Sequence, residues 1–243
     1  MINLSDIQNK LINSNKFWIV FTGDSITSCE WVHPNWREIV EYVLKEEMTK
    51  YMDGDWITSE WGIRAFNFGY DGSTTKDIVQ KIDTILSVNP DLVIGLMGSN
   101  DPTLDVSVEE SIANINKIID AVNNINTKIV WANSTPAGEA SPKNAEYESY
   151  AIALIDSIKS SSETQIIDMF NIYKQFPLDK IFTFISEENI VENIKEGEID
   201  LQHPNQLGNA YIAKVMLKEI FGIEFDPEEY IRSTLAGDKL PSY

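Results

Sequence analysis

Five short, mostly apolar runs divide the chain, and the stretches between them carry apolar residues three and four positions apart. The runs are FWIVFT (17–22), IRAFNFG (63–69), DLVIGLMG (91–98), KIVWAN (128–133) and TQIIDM (164–169). Such runs, rich in β-branched and aromatic residues, fit strands buried on both faces. Helical spacing occupies 36–48, 74–86, 107–122 and 145–159, and Thr74 or Thr75 offers a side-chain cap at the start of the second. Strands alternating with amphipathic helices predict an α/β fold in three layers, with about five parallel strands, helices on both faces and right-handed crossovers. Residues 205–221 read as one more helix, and 222–243 as a C-terminal tail packed on the body or partly loose.

No Gly/Ser linker, internal repeat or low-complexity tract interrupts this alternation, so 1–243 reads as a single domain. Composition changes the picture mainly through charge. There are 38 acidic against 19 basic residues, a formal charge of −19. Such a chain repels phosphate backbones and anionic membranes at long range, which disfavours nucleic-acid partners. No stretch reaches the roughly 18 apolar residues of a membrane helix, so membrane insertion is not expected. The polar, acid-bearing N-terminus lacks the basic and apolar regions of a secretory signal. With Cys29 alone, an intramolecular disulfide is excluded, and a cytoplasmic location is the expectation. A signal removed before Met1 would leave no trace. Homo-oligomerisation is left open.

In open α/β sheets, ligands bind outside the carboxyl ends of the strands, and the chemically suggestive residues follow the apolar runs. GDSIT, after the first, offers Ser25 on a tight turn opened by Gly23. A serine hydroxyl needs a base within hydrogen-bond reach to act as a nucleophile; alone, Ser25 also fits a turn or cap. NFGYDGS, after the second, has Gly69 and Gly72, either of which lets the backbone approach a ligand and aim an N–H at it. GSND, after the third, presents the Asn100 amide, which suits either a developing negative charge or an Asx-turn. One of the two histidines, His203, stands three residues after Asp200 in DLQHP, where the carboxylate can meet one ring nitrogen and leave the other free for a hydroxyl. Two histidines and one cysteine make a zinc site hard to assemble. Neither a P-loop lysine pattern nor a G-x-G-x-x-G turn follows the first run, which disfavours a nucleotide or flavin binder.

Taken together, GDSIT, NFGYDG, GSND and DLQHP, spanning 23–204, resemble the blocks of the SGNH, or GDSL-type, serine hydrolases. The resemblance implies a flavodoxin-like fold and an esterase that works without metal or cofactor. It implies Ser25 as nucleophile, His203 as general base and acid, and Asp200 as its orienting carboxylate. The oxyanion hole would comprise the N–H groups of Ser25 and Gly69 and the side chain of Asn100. Ser99 stands where the family often has threonine. The implied substrate is a small-molecule or carbohydrate ester, with a short acyl group such as acetyl favoured because no long apolar helix suggests a lipase lid. A thioesterase or lysophospholipase would use the same site, and a non-catalytic binding protein would retain the fold.

Candidate pocket residues are Asp24, Trp31, His33 and Thr135. Trp31 and His33 lie in CEWVHPNW, just after the nucleophile; Trp31 fits either a stacking wall or packing on the sheet, and Trp36 is expected in the core. Thr135 belongs to the Pro-, Gly- and Ser-containing loop 133–144, on the same sheet edge. Trp56 and Trp61 are expected to pack at the opposite end of the sheet. Residues 182–200 read as a lid or a helix leading to the Asp/His turn, with Glu187, Glu188, Glu192 and Glu198 solvated.

Overall fold

The structure, a computed structural model, describes residues 2–28, 31–187 and 194–236. Five parallel strands form its sheet: β1 (Phe17–Gly23), β2 (Ile63–Gly69), β3 (Leu92–Leu96), β4 (Lys128–Ala132) and β5 (Thr164–Ile167), in the order β2-β1-β3-β4-β5. This is the flavodoxin-like order. The chain leaves β1 for one flank of the sheet and returns to the other side of β1 as β3. The carboxyl ends of β1 and β3 therefore border a crevice, and Gly23 pairs in register with both Gly69 of β2 and Leu96 of β3.

Alternation along the strands sends side chains to two separate cores. Ile19, Phe21, Ile94, Leu96 and Val130 pack on one face, against α1 (Leu4–Ser14), α2 (Trp36–Tyr51) and α10 (Gln206–Met216). Val20, Val93, Ile129 and Trp131 pack on the other, against α4 (Thr75–Leu86), α6 (Val108–Asn123) and α7 (Asn144–Ser157). Trp36 is fully buried at the start of α2, as its position suggests. Side-chain caps define where the helices leave the carboxyl edge. Asn35 forms a capping box with Glu38, Thr74 forms one with Asp77, and Ser107 and Asn205 cap α6 and α10.

Several elements depart from the sequence reading. The N-terminus forms α1, capped by Asn3, and α3 (Trp56–Gly62) precedes β2. Short helices α5 (Asn100–Thr103), α8 (Met169–Tyr173) and α9 (Leu178–Ile181) fill connections. Helix α10 passes into a π-helical turn, Leu217–Phe221. The expected tail holds α11 (Pro227–Ala236), whose Tyr230 is buried. Trp56 and Trp61 do not pack: both are more than half exposed, because α3 is short and sits at the sheet's margin. Where 182–200 is described it is not helical. Ile185 bridges Ile199 in antiparallel fashion, the Ser186 N–H donates to Glu198 O, and the Asp200 N–H donates to Phe184 O. Cys29, Glu188 and Glu192 lie outside the described residues. No helix among the described residues is long and apolar enough to cross a membrane.

Candidate active site

The nucleophile candidate stands on a turn that the backbone forces to be tight. A Cβ at Gly23 would lie 2.2 Å from the Leu96 carbonyl and 2.4 Å from Thr27 Oγ1, so only glycine fits between β1, β3 and the returning chain. The N–H groups of Thr27 and Ser28 both donate to Asp24 O at 3.0 Å. The Ile26 N–H donates to the Asp24 carboxylate, also at 3.0 Å. This turn leaves Ser25 half-buried, facing the crevice. Its N–H meets no protein acceptor among the described residues.

The Asp/His turn reaches Ser25 from the far end of the chain. Asp200 Oδ1 accepts from the N–H groups of Gln202 (2.7 Å) and His203 (3.1 Å), which folds the three-residue spacing into a compact loop. Asp200 Oδ2 then lies 2.6 Å from His203 Nδ1, and His203 Nε2 lies 3.0 Å from Ser25 Oγ. The carboxylate fixes the ring tautomer with Nδ1–H donating, leaving Nε2 as acceptor for the serine hydroxyl. Burial pushes the Asp200 carboxyl up, but the hydrogen bond and charge of His203, with the two N–H groups, outweigh it and hold Asp200 below the usual carboxylate range.

A donor cluster faces this relay. Asn100, at the start of α5, donates from Nδ2 to Ser73 O at 3.0 Å and borders the crevice. Gly69 does not. Its N–H is taken by Asn67 Oδ1 at 2.9 Å, and a Cβ there would run into the backbone of Thr27 and Ser28. Gly69 is the last residue of β2 and still belongs to the sheet. Gly72, three residues on, borders the crevice, takes a positive φ of 67° and has an N–H without a protein acceptor among the described residues.

The crevice holds a cavity of about 210 Å³, lined by Thr135, Pro136, Ala137 and Tyr147 and by Trp31, Asp71 and His203. Of the candidate pocket residues, Thr135 and Trp31 line this cavity. Asp24 and His33 do not line it. Asp24 is fully buried beneath the Ser25 turn and receives the Ser99 hydroxyl at 3.3 Å; on so tight a turn, neighbours point to opposite sides. Burial pushes its carboxyl up to about 6, against the lowering effects of the Ile26 N–H, the charge of His203 and the Ser99 hydroxyl. His33 is exposed and bonds Glu38 at 3.1 Å, facing the surface rather than the cavity. Lys143, Gln202, Tyr147 and Asp71 are wall residues that the sequence reading did not single out. Each follows an apolar run or flanks a motif residue, which was the available signal. Gly138 N–H donates to Leu201 O (2.8 Å) and the Lys143 ammonium to Gln202 Oε1 (3.1 Å), tying the loop after β4 to the Asp/His turn. Among the described residues no group of three or more His, Cys, Asp or Glu side chains is arranged to hold a metal ion.

The profile of the GDSL-like lipase/acylhydrolase family matches residues 21–211. No curated protein matches the chain. Among solved structures, an acetyl xylan esterase from Geobacillus stearothermophilus is similar over 86% of this chain and 95% of its own, at 19% identity and a TM-score of 0.60. An acetyl xylan esterase, AlAXEase, aligns with 84% of this chain and 100% of its own (20% identity, TM-score 0.61). A lipase/acylhydrolase from Enterococcus faecalis aligns with 85% and 96% (20% identity, TM-score 0.56). At these identities the likeness concerns the fold. Three further structures of the Geobacillus enzyme are described as catalytic mutants in which a serine, an aspartate or a histidine is alanine.

Proposed function

Because the chain belongs to the GDSL-like lipase/acylhydrolase family and is an ester-hydrolysing enzyme, we propose that it is a serine esterase acting through Ser25, His203 and Asp200. The observation that carries this reading is the continuous relay at the cavity mouth: 2.6 Å from Asp200 to His203 and 3.0 Å from His203 to Ser25. Ser25 Oγ attacks the acyl carbonyl while its proton passes to His203 Nε2. The resulting imidazolium is stabilised by Asp200, which keeps its negative charge throughout. The oxyanion is met by the N–H groups of Ser25 and Gly72 and by the Asn100 amide, with Gly72 taking the role that the motif resemblance gave to Gly69. The tetrahedral intermediate then collapses, and His203 returns the proton to the departing alcohol. Water deprotonated by His203 attacks the acyl-enzyme, releasing the acid and restoring Ser25.

The substrate is a short-chain ester, acetyl above all, carried on a carbohydrate. A cavity of about 210 Å³ supports a small acyl group, since drug-sized ligands occupy roughly 300–1,000 Å³. The acetyl xylan esterases that share the fold supply the carbohydrate part of the reading. The test is hydrolysis of p-nitrophenyl acetate, butyrate and octanoate by wild type and Ser25→Ala, with circular dichroism to verify folding. Acetate is expected to be cleaved fastest. The variant should lose at least about 10³-fold, since only binding and the oxyanion donors remain. Full activity in Ser25→Ala would overturn the assignment of the nucleophile, and preference for octanoate would overturn the short-acyl reading.

A further inference from the structure

The indole of Trp31 lies flat on the imidazole of His203, with ring centroids 4.2 Å apart and planes 9° from parallel. Its position is fixed from outside the ring. Trp31 Nε1–H donates to Asp71 Oδ2 at 3.0 Å, and the other carboxylate oxygen, Asp71 Oδ1, accepts the Ser28 hydroxyl at 2.5 Å. Ser28 closes the nucleophile turn through its N–H to Asp24 O. One carboxylate on the loop after β2 thus joins the serine turn to the aromatic ring that covers the histidine.

We propose that Trp31, held by Asp71, is a positioning residue for His203: it fixes the imidazole plane and favours the cation that forms when the Ser25 proton arrives. This rests on the reading of His203 as general base. The ring is then gripped on two sides. Asp200 holds Nδ1 in the plane, and the indole face, negative by its quadrupole, lies against the flat surface. A carboxylate on the indole N–H adds negative charge to the same side. The imidazolium exists only after proton transfer, so its stabilisation lowers the barrier without tightening ground-state binding. One face of Trp31 is covered by His203, which leaves at most the other as the sugar-stacking wall that its place in the chain suggests.

The expected kinetics separate positioning from substrate contact. With p-nitrophenyl acetate, Trp31→Ala should lower kcat about tenfold, the scale of one partly desolvated cation–π contact, and leave KM within about twofold. Trp31→Phe keeps an aromatic face and should recover most of the loss. Asp71→Asn keeps an acceptor but not the charge, and should fall between. Proton NMR supplies a reading independent of turnover, since the chain has two histidines and His33→Gln assigns the other signal. The His203 ring protons should be shifted upfield by the indole in the resting protein, and the shift should vanish in Trp31→Ala. Absence of that shift from the wild type would overturn the stack. A Trp31→Ala effect confined to KM would show a substrate wall and overturn the positioning role, as would equal kcat losses in Trp31→Ala and Trp31→Phe. Full activity in Ser25→Ala would instead refute the serine reading while the NMR result stood.

Discussion

Asp24 directly precedes Ser25, yet its side chain is wholly buried and burial pushes its carboxyl up to about 6. The pH dependence follows from that direction. Between the unfolded value of 3.8 and about 6 the unfolded chain has released the proton and the folded chain retains it, so stability falls as pH rises through this window. Above it, the charged form costs on the order of 3 kcal/mol, the equivalent of about two pH units. Asp24→Asn removes that titration and preserves an acceptor for the Ile26 N–H. In urea denaturation at about pH 4 and pH 7.5, the variant should gain on the wild type by roughly this amount at the higher pH. A pH-independent difference would show that Asp24 is not protonated in the fold. Adjacency to Ser25 made Asp24 a pocket candidate in the sequence, and nothing in that adjacency shows that it is buried. Linear order does not reveal which way a side chain leaves a turn closed by bonds at 3.0 Å. The same limit separates Gly69 from Gly72: both have the glycine's freedom, and only β2 pairing through Gly69 shows which of them belongs to the sheet.

At the scale of elements, the loop after β3 is joined to the start of α4 by a buried carboxylate. Asp101 accepts the Thr75 N–H at 2.8 Å and the Thr75 hydroxyl at 2.6 Å, and Asn114 of α6 donates to the same hydroxyl at 3.3 Å. Asn100, beside Asp101, donates from Nδ2 to the carbonyl of Ser73, two residues before Thr75, at 3.0 Å, so Asp101 positions through the backbone the amide proposed above as an oxyanion donor. Asp101→Ala strands two buried donors, at about 1–3 kcal/mol each in the unrelaxed site. Stability measured by denaturation should therefore drop by at least about 2 kcal/mol. The folded variant should also lose kcat on p-nitrophenyl acetate more than it gains KM. Stability and kcat both unchanged would refute the role. Of these elements, the strands and a cap at Thr74 or Thr75, of which Thr74 is the one used, were legible because their signals are local. Helix α1 carries a readable pattern too, with Ile7 and Leu11 buried behind the Asn3 cap, as does α11 with Pro227 in its first turn. The bridge of Ile185 to Ile199 is different. It joins residues across a long excursion, and no periodicity in either segment announces it.

For the whole molecule, strand order explains why four separated motifs meet. The reversal at β1 opens the crevice, and the connections after β1, β2, β3 and β4 each deliver side chains or backbone to it, as does the Asp/His turn before α10. The sequence implied this edge through alternation alone; the distances within it depend on tertiary packing that no local pattern encodes. The formal charge of −19 acts on the same scale. Excess acidic groups repel one another across the folded surface and less so in the expanded chain. The ion pairs opposing this repulsion are mostly exposed, such as Lys50–Glu47 and Lys174–Glu148, and pairs of that kind contribute about 0–1 kcal/mol each. Repulsion therefore wins, and screening should stabilise the fold. Raising NaCl from about 10 to 150 mM shortens the Debye length from about 30 to 8 Å. The melting temperature should rise by a few degrees, about 2–4 °C for each kcal/mol relieved in a chain of this size. The relay from Asp200 to Ser25 spans contacts of 2.6 and 3.0 Å in a largely buried site, which salt screens far less. Hydrolysis of a neutral acetyl ester should change by less than about twofold over the same range. A melting temperature that falls with salt would mean that the surface ion pairs, not the excess acids, dominate the electrostatics of this fold.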